Sequence, residues 1–361
     1  MSGLPSRTSQ WVIEKEQGLI LRHDVPLPPL GAYDVLVKIH AVSLNARDHQ
    51  ILNVFFSLVL STANPKLINS QNTYMWGYTP GIVPTSDCAG SVLAIGGAVS
   101  RVKMGSRVAA IFHRKWLKGE LTSIAETSQV GAHSDGVLRQ YAVFPEDELV
   151  EIPSHLSFIE ASTLPCAAVT AWNSLFCGRK SVKPGDVVLT QGSGGVSLFA
   201  IQFAKAAGAT VIATTGELRS ERETLLRQVG ANIVLSYRDS DWGEQAKAAT
   251  DGRGVDFLLE LSGAAAQSAA AIRVGGEIIV IGGSEGSGGS TFDMRLVFGE
   301  LRRVAVGSRE QFEGMNRAIN ACRLQPVVDK TNWSFEQARE ALQYAGFGKM
   351  AGKVVIKVAQ D

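Results

Sequence analysis

Cysteine is scarce in this chain, charge of one sign is missing, and no long apolar run interrupts it. The four cysteines among 361 residues, Cys88, Cys166, Cys177 and Cys322, stand far apart with no C-x-x-C pair. That spacing excludes a disulfide-stapled scaffold and fits a reducing compartment, with buried free thiols as the expected state. A formal net charge of +1 removes the electrostatic case for nucleic acid or an anionic membrane surface as partner. The longest apolar stretch, Val54 to Leu60, is far short of the roughly 18 residues a membrane span needs. The opening Met1-Ser-Gly-Leu-Pro-Ser-Arg7 lacks the apolar core of a signal peptide, so a cytoplasmic protein is expected. No internal repeat or low-complexity tract is visible. What is present is 45% hydrophobic residues, with length for two domains and a core in each.

The most informative stretch runs from Val187 to Thr215. Val187-Val-Leu189, bounded by Gly185-Asp186 and by glycines behind, reads as a buried parallel strand. From Ser197 to Ala207 the apolar residues Leu198, Phe199, Ile201, Phe203, Ala204, Ala206 and Ala207 predict a helix buried over most of its surface, ended by Gly208. A second strand follows at Thr210 to Thr214. Strand, glycine turn, helix and strand make one βαβ unit, whose helix N-terminus points into the crevice beyond the strand ends. Gly192-Ser-Gly-Gly-Val-Ser197 comes close to the dinucleotide fingerprint G-x-G-x-x-G, with Ser197 at the third glycine. Gly192 permits the tight exit, and Gly194 and Gly195 let backbone N–H groups reach phosphate oxygens at the positive end of the helix dipole. A plain glycine turn is the alternative, but strand and helix stand on both sides.

Upstream, residues 11 to 50 read as short strands. Val35 to Val42 suggests a strand with one wet face, and Ser43 to Gln50 is polar and turn-like. Residues 53 to 79 mix Phe55, Phe56, Leu58, Tyr74, Trp76 and Tyr78 with polar residues, either a surface excursion or a loop lining an apolar pocket. Val83 to Val108 reads as short strands with glycine turns, the pattern of a small β-barrel. Residues 113 to 135 are irregular, and Gly136 to Val143 returns to strand. Downstream, a helix at Glu221 to Val229, strands at Ile233 to Leu235 and Val255 to Leu261, a helix from Ala264 and a strand at Glu277 to Ile281 alternate as in a doubly wound sheet.

Pro84-Thr-Ser-Asp-Cys-Ala-Gly90, Gly105-Ser-Arg-Val108, Leu164 to Trp172, Lys183-Pro-Gly-Asp186, Gly192 to Ser197, Gly254-Val-Asp256 and Gly352-Lys-Val-Val-Ile356 occur in this order over nearly the whole chain. Together they resemble the medium-chain dehydrogenase/reductase superfamily, and within it the zinc-free quinone oxidoreductase and enoyl reductase-like branch. The resemblance implies an α/β protein: a GroES-like β-barrel catalytic domain over residues 1–160 and 310–361, and a doubly wound Rossmann domain over 161–309. It also implies that the last strand, Lys353 to Val358, rejoins the first domain. Dimers are usual in the family.

Zinc-dependent relatives place a cysteine, the histidine of G-H-E and a second cysteine around the metal; the matching positions here read Asn45, Ser86 and Cys166. A catalytic zinc needs three nitrogen, sulfur or carboxylate ligands, and one surviving thiol does not supply them. His40, His49, His113 and His133 show no ligand spacing. No metal is therefore expected. Without a Lewis acid, an enone or quinone is a more natural hydride acceptor than a simple ketone, because it spreads the developing charge.

For the cofactor, Thr214-Thr-Gly-Glu-Leu-Arg-Ser-Glu-Arg222 follows the second strand. Thr215, Arg219, Ser220 and Arg222 suit a 2′-phosphate, and Tyr237 stands where NADPH-using relatives place a tyrosine; Glu217 keeps NADH open. The resemblance adds Thr170 and the Val306-Gly-Ser-Arg309 segment, which match family positions near the nicotinamide and the cofactor edge, so the expected cofactor set is Thr170, Gly192, Ser193, Gly194, Gly195, Val196, Thr215, Arg219, Ser220, Arg222, Tyr237, Gly282, Ser308 and Arg309, with NADPH favoured over NADH. The branch's first loop commonly carries a tyrosine where this chain has Ala46, so Asn45, His49 and Tyr78 become the catalytic candidates, with His113 as a further proton source. Two readings follow: an NADPH-dependent reductase of an apolar small molecule, or a family member that binds NADPH without hydride transfer, serving as a binder or catalysing a redox-neutral step. A zinc alcohol dehydrogenase is the third, and it would require bound metal.

Overall fold

The chain divides into two units, Met1–Cys166 with Gly307–Asp361, and Ala167–Val306. The computed structural model describes residues 3–14, 17–52, 79, 81–281, 292–293, 297–346, 348 and 350–359. Tyr78, Gly282 and all of the 53–79 segment except Thr79 lie outside the described residues.

In the first unit β1 (Arg7–Glu14) and β2 (Gly18–Pro26) form an antiparallel pair. The remaining strands are β3 (Asp34–Ser43), β4 (Asp87–Ile95), β5 (Arg107–Ala110), β6 (Tyr141–Pro145), β7 (Leu149–Glu151), β14 (Trp333–Ser334) and β15 (Val355–Lys357). They form one sheet of order β14-β15-β3-β4-β5-β7, with β6 also paired to β3. Only Asp34 and Lys38 of β3 keep partial exposure, so the expected wet face is absent: Val35, Val37, Ile39 and Val42 enter one core with Val108, Leu138, Leu149 and Ile356. Gly90 is required where β4 crosses β3, because a Cβ there would sit 2.3 Å from the Lys38 carbonyl oxygen. Trp11 Nε1 donates to the Phe335 carbonyl at 2.8 Å and ties the N-terminal strand to the C-terminal segment.

Three local expectations are corrected. Residues 46–52 are helical rather than turn-like. The strand expected from Gly136 starts at Tyr141, because the N–H groups of Gly136, Val137 and Leu138 are spent on the carbonyls of Val83, Thr85 and Pro84. The cysteines are free, but only Cys88 is buried, and Cys322 is exposed.

The second unit holds β8 (Val187–Thr190), β9 (Thr210–Thr215), β10 (Ile233–Ser236), β11 (Val255–Glu260), β12 (Ile272–Val280) and β13 (Glu300–Arg303). All pair parallel, in the order β10-β9-β8-β11-β12-β13. Strand order reverses between β8 and β11, which is the topological switch point of a doubly wound sheet. The helix Gly195–Ala206 buries Leu198, Phe199, Ile201 and Phe203, and Trp172 of the helix Val169–Phe176 meets Phe203 edge-on at 5.6 Å. β12 begins five residues before the expected Glu277, since Ile272 already pairs with Val255 ahead of a register shift. Among the described residues no helix is long and apolar enough to cross a membrane.

Candidate active site

In the first unit, the end of β3 delivers Leu44 and Asn45 to the N-terminus of the 46–52 helix. Asp48 closes that turn: its Oδ2 accepts the Asn45 N–H at 2.8 Å while its own N–H donates to the Asn45 carbonyl at 3.0 Å, a reciprocal arrangement of the capping-box kind. The Leu44 N–H donates to the Val354 carbonyl at 2.9 Å, which brings the start of the last strand alongside. Lys353, 5% exposed, then reaches the Leu44 carbonyl at 2.6 Å and Asn45 Oδ1 at 2.5 Å through Nζ.

The Asn45 carboxamide continues into a line of polar groups. Its Nδ2 faces Ser86 Oγ at 3.5 Å, Ser86 Oγ donates to Asp87 Oδ1 at 2.6 Å, and Asp87 Oδ2 accepts the Cys166 N–H at 3.1 Å. Asn45, Ser86 and Cys166, the three positions aligned with a metal site, are therefore gathered in space. Their chemistry is an amide, a hydroxyl and one thiol, which does not fit the three-ligand set of a catalytic zinc. Among the described residues no three His, Cys, Asp or Glu side chains come together as a metal site. Although the residue as a whole keeps partial exposure, desolvation of the thiol, helped by Asp87, pushes Cys166 up to about 12.

Thr85 stands where G-H-E relatives have the glycine, and at φ 69° it lies in the left-handed region that favours glycine. A β-branched residue pays for that geometry in strain. The backbone of Thr85 is clamped by Gly131 and Gly136, whose missing Cβ atoms would meet it at 2.5 and 2.1 Å. Asp48 is enclosed: burial foremost, and then the nearby Asp87, raise its carboxyl to about 6, against the pull of Arg47, the Asn45 N–H and Lys353. Arg47 Nε lies 3.6 Å from Asp48 Oδ1, and its guanidinium covers the Phe112 ring at 4.3 Å.

His49 does not face this line of groups. Its ring lies against Gly346, where an added Cβ would meet it at 2.1 Å, and it bonds the Leu342 backbone; burial lowers its pKa. His113 is buried with Nδ1 3.0 Å from the Ala125 carbonyl, and burial lowers its pKa to about 4, as a neutral ring within the fold.

The second unit carries the dinucleotide features. Gly192 leaves β8 at φ 75° with its N–H on Thr214 Oγ1 at 3.1 Å. Gly194 caps the helix in an extended conformation, with no side-chain cap, and a Cβ on it would meet no atom within 4 Å. Ser193, Gly195 and Val196 share this partly exposed turn. Ser197 is buried, its hydroxyl donating to the Gln191 carbonyl at 2.7 Å, so it replaces a glycine by packing inward.

At the end of β9, Thr215 is 1% exposed and its Oγ1 has no hydrogen-bond partner among the described residues. The Tyr237 ring covers Gly216, where a Cβ would meet the Tyr237 hydroxyl at 2.4 Å, and the Tyr237 N–H donates to the Thr215 carbonyl at 2.9 Å. Arg219 is exposed at φ 58°, and Arg222 is half-buried. The Ser220 hydroxyl is already committed, donating to the Glu217 carbonyl at 2.7 Å and capping the helix Glu221–Gln228. An open glycine turn at a helix N-terminus and an orphaned buried hydroxyl fit a dinucleotide.

Thr170 is buried in the helix Val169–Phe176. Ser308 and Arg309 belong to the first unit: Ser308 caps the helix Arg309–Cys322, and Arg309 pairs with Asp147 at 2.5 Å.

One network at the switch point escaped the sequence reading. Glu260 Oε1 accepts the N–H groups of Ser262, Gly263 and Ala264 at 2.8–3.2 Å. Its Oε2 takes Gln191 Nε2 at 2.9 Å and the Ser268 hydroxyl. Gln191 Oε1 holds Leu261, Ser262 and the Ser262 hydroxyl at 2.7–3.0 Å. The loops after β8 and β11 are thereby latched together. The available signal was a glutamate closing the apolar run Phe257 to Leu259.

The alcohol dehydrogenase GroES-like domain model matches residues 31–154 and the zinc-binding dehydrogenase model matches 195–321. A zinc-type alcohol dehydrogenase-like protein of Schizosaccharomyces pombe is 36% identical over 347 residues, covering 93% of this chain and 94% of that protein. The 2-methylene-furan-3-one reductase of Solanum lycopersicum is 27% identical over 344 residues, covering 94% and 75%. A solved structure of a proposed alcohol dehydrogenase from Sinorhizobium meliloti 1021 superimposes with a TM-score of 0.85 at 32% identity, over 99% of this chain and 100% of that one. With both units matched in order and a relative spanning nearly its full length, the chain belongs to the medium-chain dehydrogenase/reductase superfamily of oxidoreductase enzymes.

Proposed function

We propose that the protein is a zinc-independent, NADPH-dependent reductase that passes hydride to an apolar activated alkene, quinone or carbonyl. The observation that carries this reading is the composition of the site aligned with the metal: an amide (Asn45), a hydroxyl (Ser86) and a single thiol (Cys166) are gathered there, the Asn45 and Ser86 side chains and the Cys166 backbone N–H being joined through Asp87. Reduced nicotinamide supplies the hydride. The turn from Gly192 to Val196 presents N–H groups to the pyrophosphate, and Thr215, Tyr237 and Arg222 stand at the end of β9, where the 2′-phosphate of NADPH is read.

The chain's remaining task is to stabilise charge on the acceptor's oxygen. The half-buried Asn45 carboxamide does this by hydrogen bonding, and an enone, whose charge is spread on reduction, needs no stronger electrophile. The name of the tomato relative points the same way, since a 2-methylene-furan-3-one is an enone. His49, turned to Gly346, is not the donor, and the exposed Ala46 offers no hydroxyl; Tyr78 lies outside the described residues, so the proton for the enolate comes from Tyr78 or from water.

The test is oxidation of NADPH and NADH, carrying deuterium at C4, against cyclohexenone, cinnamaldehyde, menadione and simple ketones, with mass analysis of products and metal analysis of the protein. Deuterium at a β-carbon, NADPH preference and activity that survives a chelator are expected. Stoichiometric zinc with alcohol oxidation, or tight NADPH binding with no deuterium in any product, overturns the reading.

A further inference from the structure

Lys353 is a lysine with almost no exposure in the run that leads into β15. Its backbone is used up: the N–H donates to the Val327 carbonyl and the carbonyl accepts from Asp329, both at 2.9 Å. A methionine would fill the same space without the cost of burying an ammonium. The side chain must therefore be explained by what its head touches, which is the Leu44 carbonyl and Asn45 Oδ1.

An ammonium can only donate, so the atom of Asn45 that it meets must be the carbonyl oxygen. The opposite end of the line agrees. Ser86 spends its proton on Asp87 Oδ1 at 2.6 Å, so towards Asn45 its oxygen can only accept, and Nδ2 is the atom that faces it. Hydrogen-bond polarity thus runs one way from the Lys353 ammonium through Asn45 and Ser86 to the Asp87 carboxylate. A chain of that sense polarises each member, and the Asn45 N–H groups become better donors. Its longest link is Nδ2 to Ser86 at 3.5 Å, so donor capacity remains at the amide of this partly buried residue.

We infer that Lys353 is the fixed cation of this site and a positioning residue: by holding Asn45 Oδ1 it makes the carboxamide an obligate donor, from Nδ2, to an oxyanion formed on the bound acceptor. The inference rests on the hydride-transfer reading. It assigns to an internal lysine the positive charge that a metal supplies in zinc-dependent relatives.

The experiment compares the full-length wild type with Asn45→Asp, Asn45→Ala, Lys353→Met, Lys353→Gln and the double variant Asn45→Ala/Lys353→Met, in NADPH-dependent reduction of cyclohexenone and menadione. Each variant is also measured for NADPH affinity and melting temperature. Asn45→Asp, which still accepts from Lys353 but cannot donate, is expected to lose about 100- to 1,000-fold in kcat with NADPH affinity unchanged. Lys353→Met follows it, Lys353→Gln recovers about tenfold through its own amide donor, and Lys353→Met adds nothing to Asn45→Ala. Wild-type kcat in Asn45→Asp, or losses that multiply in the double variant, overturns the inference. If Lys353→Met does not fold, the two Asn45 variants, at a partly buried position, decide.

A second readout needs no turnover. In the NADP+ complex the wild type shifts bound para-nitrophenol towards the yellow phenolate, and Asn45→Asp does not; an equal spectrum in the two overturns the inference. A wild type that reduces neither probe yet shows this difference sinks the hydride-transfer reading alone.

Discussion

Asp48 is a carboxyl group whose surroundings disfavour its own ionisation. Burial and Asp87 lift it from the ordinary 3.8 to about 6, and Arg47, the Asn45 N–H and Lys353 offset only part of this. The folded chain holds the proton more tightly than the unfolded chain, so stability is greatest below the unfolded value, falls as pH rises from about 4 to about 6, and is flat above. At about 1.4 kcal/mol per pH unit the interval from 3.8 to about 6 corresponds to about 3 kcal/mol. Asp48→Asn keeps an acceptor for the Asn45 N–H and removes the titration. In urea unfolding it is expected to exceed the wild type by up to about 3 kcal/mol near pH 7, less what Arg47 loses as its counter-charge, with the gap closing near pH 4. A gap that does not change with pH would mean that Asp48 is not the group that titrates.

At the level of elements, the turn from β8 into the helix Gly195–Ala206 separates folding from binding. Gly194 has an ordinary φ of −75° and open space where a Cβ would go. Gly194→Ala should therefore leave the melting temperature within about 1 °C, as surface changes do, while, if this turn holds the proposed pyrophosphate site, its methyl group blocks phosphate approach and weakens binding of the nicotinamide cofactor at least tenfold, about 1.4 kcal/mol. Gly192 sits at φ 75°, and alanine there also costs about 1–2 kcal/mol of stability. Thermal scans and nicotinamide fluorescence titrations separate the two effects, and wild-type affinity in Gly194→Ala would remove the phosphate site from this turn. The turn was legible in the sequence because the hydrophobic period changes from strand to helix across it. The 46–52 helix was not: its buried positions include Arg47 and Asp48, and charged residues in a short segment read as a turn. Lys353 looked like an ordinary strand residue, since nothing in Gly352-Lys-Val-Val-Ile356 shows that its side chain points inward to Asn45. Ser220 and Ser308 were recognisable as polar residues near the cofactor segments, yet both hydroxyls are spent on helix caps, a use that composition does not distinguish from ligand binding.

For the whole molecule, the consequence of the topology is that the first unit is sewn from both ends of the chain while the second lies in one continuous stretch, Ala167–Val306. β15 pairs with β3 in the interior of the sheet order, and Val354, Val355, Ile356 and Val358 are buried beside it. At about 1.5–3 kcal/mol for each buried aliphatic side chain, these residues contribute about 6–12 kcal/mol. That is as large as the whole stability of a typical domain, about 5–15 kcal/mol, and their removal also strips β3 of a neighbour and exposes an unpaired edge. Among the described residues the second unit's parallel sheet and its core of Val187, Leu189, Ile212, Leu258 and Ile278 include none beyond Val306, so the same cut takes no strand and no core side chain from it. A chain ending at Gly346 is therefore expected to unfold in its first unit and to lose all oxidoreductase activity. Limited trypsin digestion followed by mass spectrometry should then leave a protected fragment bounded near residues 167 and 306. Digestion of the whole truncated chain at one rate would instead mean that the second unit draws its stability from the first.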